Sequence, residues 1–127
     1  MKTLLVGDDK LSNKLLKALL ESKTNKIDIA EDGMQAMAKL GQNVFDLIIS
    51  DAQMPKLDGF TMILRIREDV ELKHIPVILY SAFYTTDNFE KLAMESGANK
   101  FIRKNGNTQD IVLAANEFIS KAPCVRK

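Results

Sequence analysis

Five short apolar runs recur along the chain: Thr3 to Gly7 (TLLVG), Lys26 to Ala30 (KIDIA), Asp46 to Ser50 (DLIIS), Pro76 to Tyr80 (PVILY) and Lys100 to Arg103 (KFIR). Each has the length and β-branched content of a strand. Longer segments with helical spacing separate them. Leu11, Leu15, Leu19 and Leu20 predict the buried stripe of a first helix, and Ile111, Ala115, Phe118 and Ile119 that of a last one. The punctuation agrees. Ser12 and Asn107 are candidate N-caps, Asp87 with Glu90 resembles a capping box, and Gly41 and Gly97 suit helix C-termini.

A β-α unit repeated in this way predicts an α/β domain, with a doubly wound parallel sheet covered by helices on both faces. The near-continuous apolar character of LLV, LII and VIL is what strands buried on both faces require. The pattern contains no linker, low-complexity tract or solenoid repeat, so one domain is expected over residues 1–121, with 122–127 a short tail. In such a sheet the ligand site lies at the carboxyl ends of the strands. Those ends carry Asp8 and Asp9, then Asp51, Ser81 and Lys104.

Composition narrows the function. The chain has 127 residues, with 18 Lys and Arg against 17 Asp and Glu, a net charge of +1. That balance lacks the basic excess that attracts nucleic acid or an anionic membrane surface. No segment approaches the roughly 20 apolar residues of a membrane span, and the start is too short in apolar residues for a secretory signal. Cys124 has no second cysteine to pair with. These features suit the cytoplasm.

An adjacent Asp pair alone is a weak signal, because carboxylates also favour a helix N-terminus. Three carboxylates at neighbouring strand ends repel one another and would be relieved by a hard cation such as Mg²⁺, which takes oxygen ligands. Lys104 adds a point-charge donor for a phosphate or carboxylate oxygen, and Ser81 a hydroxyl. His74 sits in a polar stretch with no companion for catalysis. Met34, Met37, Met62 and Met94 read as core filler.

With Asp8-Asp9, the string Asp51-Ala52-Gln53-Met54-Pro55-Lys56-Leu57-Asp58-Gly59, Ser81-Ala82 and Phe101-Ile102-Arg103-Lys104, the sequence resembles the receiver domain of bacterial two-component response regulators over essentially its whole length. The resemblance implies the flavodoxin-like receiver fold, with five strands in the order 2-1-3-4-5 and five helices. It implies that Asp51 accepts a phosphoryl group from a sensor histidine kinase, with Ser81 and Lys104 contacting the phosphoryl oxygens. Asp8, Asp9, Asp51 and the backbone carbonyl of Gln53 would hold Mg²⁺, one carboxylate through water. Ser81 and Phe101 would form the two-state switch. The fourth helix, fifth strand and fifth helix would offer the surface for a downstream protein. Such a chain is no enzyme beyond its own phosphorylation and dephosphorylation, and needs neither nucleic acid nor membrane.

Three departures stand beside this pattern. Asn105 follows Lys104 where the family usually has Pro, Lys10 follows the acidic pair, and Gly7 precedes it where larger residues are usual. Asn105 and Lys10 favour as an alternative a receiver-like interaction module independent of phosphate. A receiver excised from a hybrid kinase or longer regulator is a further alternative. A haloacid-dehalogenase phosphatase would need a second Asp at Gln53, and a flavodoxin a hydroxyl- and Gly-rich loop in place of Asp8 and Asp9.

Overall fold

The computed structural model describes residues 1–52, 57–81, 87–103 and 109–121. Strands and helices alternate: β1 (Lys2–Val6), α1 (Lys10–Leu20), β2 (Lys26–Ala30), α2 (Gly33–Gln42), β3 (Leu47–Asp51), α3 (Gly59–Glu68), β4 (Val77–Ser81), α4 (Asp87–Ser96), β5 (Lys100–Arg103) and α5 (Gln109–Lys121). The strands form one parallel sheet in the order β2-β1-β3-β4-β5. This is the expected flavodoxin-like arrangement.

The apolar strand runs behave as two-faced burial requires. Leu4, Leu5, Val6, Leu47, Ile48, Ile49, Val77, Ile78 and Leu79 are all fully buried, alternating between two cores. One core joins Leu4, Val6, Ile48 and Leu79 to α2, α3 and α4 through Leu40, Met62, Ile63 and Ala93. The other joins Leu5, Ile49, Ile78 and Tyr80 to α1 and α5 through Leu16, Leu20, Ile111 and Ala115. The expected α5 stripe holds, with Ile111 and Ala115 buried and Phe118 and Ile119 packed at its edge.

Three strands sit one residue from their expected positions. β1 begins at Lys2, while β3 and β4 run on into Asp51 and Ser81. Ladder pairing decides this: Asp51 is registered with Tyr80 and Ser81 with Arg103, so polar side chains do not end a strand whose neighbour continues.

The buried face of α1 differs from the expected one at every position but Leu20. Leu11, Leu15 and Leu19 are exposed at 78%, 48% and 53%, and the sheet is met by Asn13, Leu16 and Leu20. Leucines occupy two adjacent stripes, so apolar spacing does not choose between them. Asn13 tolerates burial because its side-chain amide donates to the Gly7 carbonyl at 2.8 Å.

Helix termini also correct the sequence reading. α1 is capped by Asp9 rather than Ser12: the Asp9 carboxylate accepts from the backbone N–H groups of Leu11 and Ser12 at 3.1 and 3.3 Å, and Ser12 Oγ donates to it. α2 runs through Gly41 to a C-cap at Asn43. α4 starts at Asp87 itself. Gly97 takes φ 118°, the left-handed turn expected of it after α4. Of the methionines, Met62 is buried and Met37 packs partly against the core, whereas Met34 and Met94 are about half exposed. Asn107 and Cys124 lie outside the described residues.

Candidate functional site at the carboxyl edge of the sheet

The carboxyl ends of β1, β3 and β4 place Asp8, Asp9, Asp51 and Ser81 along one edge of the sheet. The registers place them: Val6 pairs with Ser50 and Asp51 with Tyr80, so Gly7, Asp51 and Tyr80 follow one another across the sheet on its α1/α5 face. Asp8 is exposed, Asp51 is partly buried at the last position of β3, and Ser81 is fully buried at the end of β4. The Asp9 carboxylate is engaged at the N-terminus of α1, where charge and helix dipole agree.

The segment after β3 shows what its acidic and glycine residues do. Asp58 caps α3, its carboxylate accepting from Thr61 N–H at 2.8 Å. Gly59 packs against the strand end: a Cβ there would stand 2.7 Å from the Asp51 carbonyl oxygen and 2.9 Å from Ala52 Cα. Gly59 N–H also donates to the Ala52 carbonyl at 3.0 Å. Absence of a side chain thus lets α3 begin directly beside Asp51.

Tyr80, by its sequence pattern only another apolar strand position, belongs to the site. Its side chain is 2% exposed. Burial pushes its phenol far above the usual tyrosine range, and the charges of Asp51, Asp9 and Asp8 push it further. All three carboxylates therefore act on one buried hydroxyl. Their donor set is oxygen only, the chemistry of a hard cation. Among the described residues, no three His, Cys, Asp or Glu side chains stand close enough to form a ready-made metal cluster.

Phe101 is buried in the α2–α3–α4 core, beside Leu79 in the register of β4 and β5. Gln53 and Lys104, together with Asn105, lie outside the described residues. Lys10, the first residue of α1, is exposed. His74 is exposed, in keeping with a solvated loop. Between α4, β5 and α5 lies an open groove of about 500 Å³, lined by Glu90, Lys100, Arg103, Asp110 and Glu117 among others. Arg103 pairs there with Glu90 at 3.5 Å and Lys100 with Glu117 at 3.9 Å. Among the described residues, no helix is long and apolar enough to cross a membrane.

Known proteins place this geometry. The chain is 32% identical over 104 residues to the gliding motility regulatory protein of Myxococcus xanthus, an alignment covering 82% of this chain and 13% of that much longer one. It is 33% identical over 105 residues to chemotaxis protein CheY-3 of Vibrio cholerae, covering 82% of this chain and 80% of that one. Among solved structures, the phosphorylated cyanobacterial phytochrome response regulator RcpA superposes with a TM-score of 0.84 at 30% identity, over 96% of this chain and 95% of that one. Residues 3–116 match the response regulator receiver domain. The chain belongs to the response regulator receiver domain family, the phosphate-accepting, non-enzymatic signalling modules of two-component systems.

Proposed function

We propose that Asp51 is the phosphoacceptor, taking the phosphoryl group from a phosphohistidine on a sensor kinase. The observation that carries this is its position: the last residue of a central strand, in line with Gly7 and Tyr80 and beside the strand end that bears Asp8 and Asp9. An Asp51 carboxylate oxygen attacks phosphorus while the P–N bond breaks, and its electron pair stays on the imidazole. The product is an acyl phosphate, which water later returns to carboxylate and free phosphate.

Attack by an anion on a phosphoryl group needs positive charge where negative charge accumulates. Asp8, Asp9 and Asp51, with the Gln53 carbonyl, would hold Mg²⁺, which prefers oxygen donors and would neutralise that charge. Lys104 would pair with the phosphoryl group. The Ser81 hydroxyl donates to a phosphoryl oxygen, and the buried setting of Ser81 and Phe101 supports their acting together as the switch. The groove over α4, β5 and α5, with its paired charges, is the surface we assign to a downstream protein. Residues 1–121 form the receiver, 122–127 a short tail, and the setting is cytoplasmic.

The test is incubation with acetyl phosphate and Mg²⁺ followed by mass spectrometry. One phosphoryl group per chain is expected, lost in Asp51→Asn and on chelation of the metal. A folded chain that gains no adduct would sink the assignment.

A further inference from the structure

Gly7 and Tyr80 are a matched pair. They flank Asp51 in the row across the sheet, all three facing α1 and α5. A Cβ on Gly7 would stand 3.1 Å from Tyr80 Oη, 3.2 Å from Asn13 Oδ1 and 3.8 Å from Asp51 Cβ. The tyrosine ring therefore reaches across from β4, and its hydroxyl occupies the space that glycine leaves on β1. Asn13 lines the same space. Its amide nitrogen holds the Gly7 carbonyl, while its Oδ1 is buried with no hydrogen-bond partner among the described residues. An unmet buried acceptor is costly, so its position beside a phenol calls for an explanation.

The geometry points to Tyr80 as a positioning residue for the phosphoacceptor: its hydroxyl, admitted by Gly7, shares with Asn13 Oδ1 the space beside the Asp51 side chain, steadies the Asp51 carboxylate, and turns toward Asn13 when an Asp51 oxygen becomes part of an acyl phosphate. This rests on Asp51 being the phosphoacceptor. A phenol held this way is a rotor with two acceptors on offer. While Asp51 is anionic, its charge makes it the stronger acceptor. Once Asp51 is an acyl phosphate, Asn13 Oδ1 becomes the alternative. Tyr80 packs in the core under α1 and α5 and Phe101 in the core on the other face of the sheet, so the hydroxyl adds a second response to the same event.

Two perturbations reach one group by different routes. Tyr80→Phe removes the hydroxyl and keeps the ring. Gly7→Ala keeps the hydroxyl and displaces it. Each should lower the rate of acetyl phosphate labelling at saturating donor by about tenfold, with the half-saturating donor concentration unchanged. In the double variant Gly7→Ala should add less than it does alone, because the Tyr80 hydroxyl is gone and only the Asn13 Oδ1 contact remains. The signature that a purely structural role would not give is optical. In a Tyr84→Phe background, the near-ultraviolet absorption band of the remaining tyrosine should shift on phosphorylation.

Wild-type protein without an adduct overturns both this inference and the reading of Asp51. Wild-type labelling with Tyr80→Phe at the wild-type rate overturns this inference alone. So does additivity of the two substitutions, or a tyrosine band that ignores phosphorylation.

Discussion

Arg67 should be worth more to stability than any other surface cation of α3. Its Nε donates to the Gly97 carbonyl at 2.9 Å, its Nη1 to the carbonyls of Lys73 and Ile75 at 2.8 and 2.7 Å, and its Nη2 to Asn99 Oδ1 at 2.9 Å. One planar fork thus ties the end of α3, the approach to β4 and the turn between α4 and β5. Asn99 Oδ1 also accepts from Val77 N–H at the start of β4. Replacing Arg67 by Met keeps the aliphatic stem and removes all the donors. The carbonyls of Gly97 and Ile75 lose charge-assisted partners in half-buried surroundings, at about 1–3 kcal/mol each. Water replaces the more exposed partners at little cost. Burial also pulls the guanidinium below the usual arginine value, a desolvation cost that the variant escapes. The net expectation is a loss of about 2–3 kcal/mol. Arg67→Lys should lose nearly as much, since an ammonium has no fork. Arg65→Met, at an exposed position two residues away, should stay within about 0.5 kcal/mol of wild type. Urea denaturation with an unchanged m-value measures all three. Arg67→Met within about 0.5 kcal/mol of wild type would refute the reasoning.

Further outcomes follow from other sites. Leu16→Ala should cost about 2–5 kcal/mol, whereas Leu19→Ala, on the exposed stripe, should cost well under 1 kcal/mol; thermal or chemical unfolding distinguishes them. Gly59→Ala drives a methyl group into the backbone beside Asp51, so a stability loss of about 1–3 kcal/mol should accompany slower phosphorylation. Asp28 is bound by Lys39 at 2.8 Å. Burial pushes the Asp28 carboxyl up, but the Lys39 hydrogen bond and charge, the Ile29 N–H and Lys2 outweigh it, so the net shift is downward. A depressed carboxyl stabilises the fold above its unfolded value, near 3.9, and the contribution disappears as pH falls through the lower folded value. With both side chains about a third exposed, Asp28→Asn should cost no more than about 1 kcal/mol at neutral pH. Its stability curve should merge with that of wild type in strong acid, and a persistent gap there would contradict the assignment.

The contrast between residues that were legible and those that were not has a physical basis. Asp51, Asp8, Asp9 and Ser81 could be placed because strand ends are marked by where apolar runs stop, and parallel α/β topology puts those ends on one edge. Asp58 and Gly59 could be found from their string, although their separate tasks, a cap and a close approach, emerge only from geometry. Tyr80 could not. A tyrosine inside an apolar strand looks like core, and only the register that sets it beside Asp51 and opposite the space at Gly7 shows where its hydroxyl goes. Arg67 was equally hidden, because its partners lie 6 to 32 residues away and all but one are backbone carbonyls, which carry no signal of residue type.

The amino-acid sequence by itself determined the alternation of strands and helices, the two-sided burial of the sheet and the carboxylates at its edge. Those properties follow from periodicity and local chemistry, which are written residue by residue. The tertiary structure alone decided which leucine stripe of α1 faces the sheet, which residue caps that helix, and which buried tyrosine stands beside Asp51. Each of these depends on what stands opposite in space: the Gly7 carbonyl draws Asn13 inward, and the missing side chain of Gly7 admits Tyr80. Complementarity between distant segments is a property of their packing, and no single stretch of chain records it.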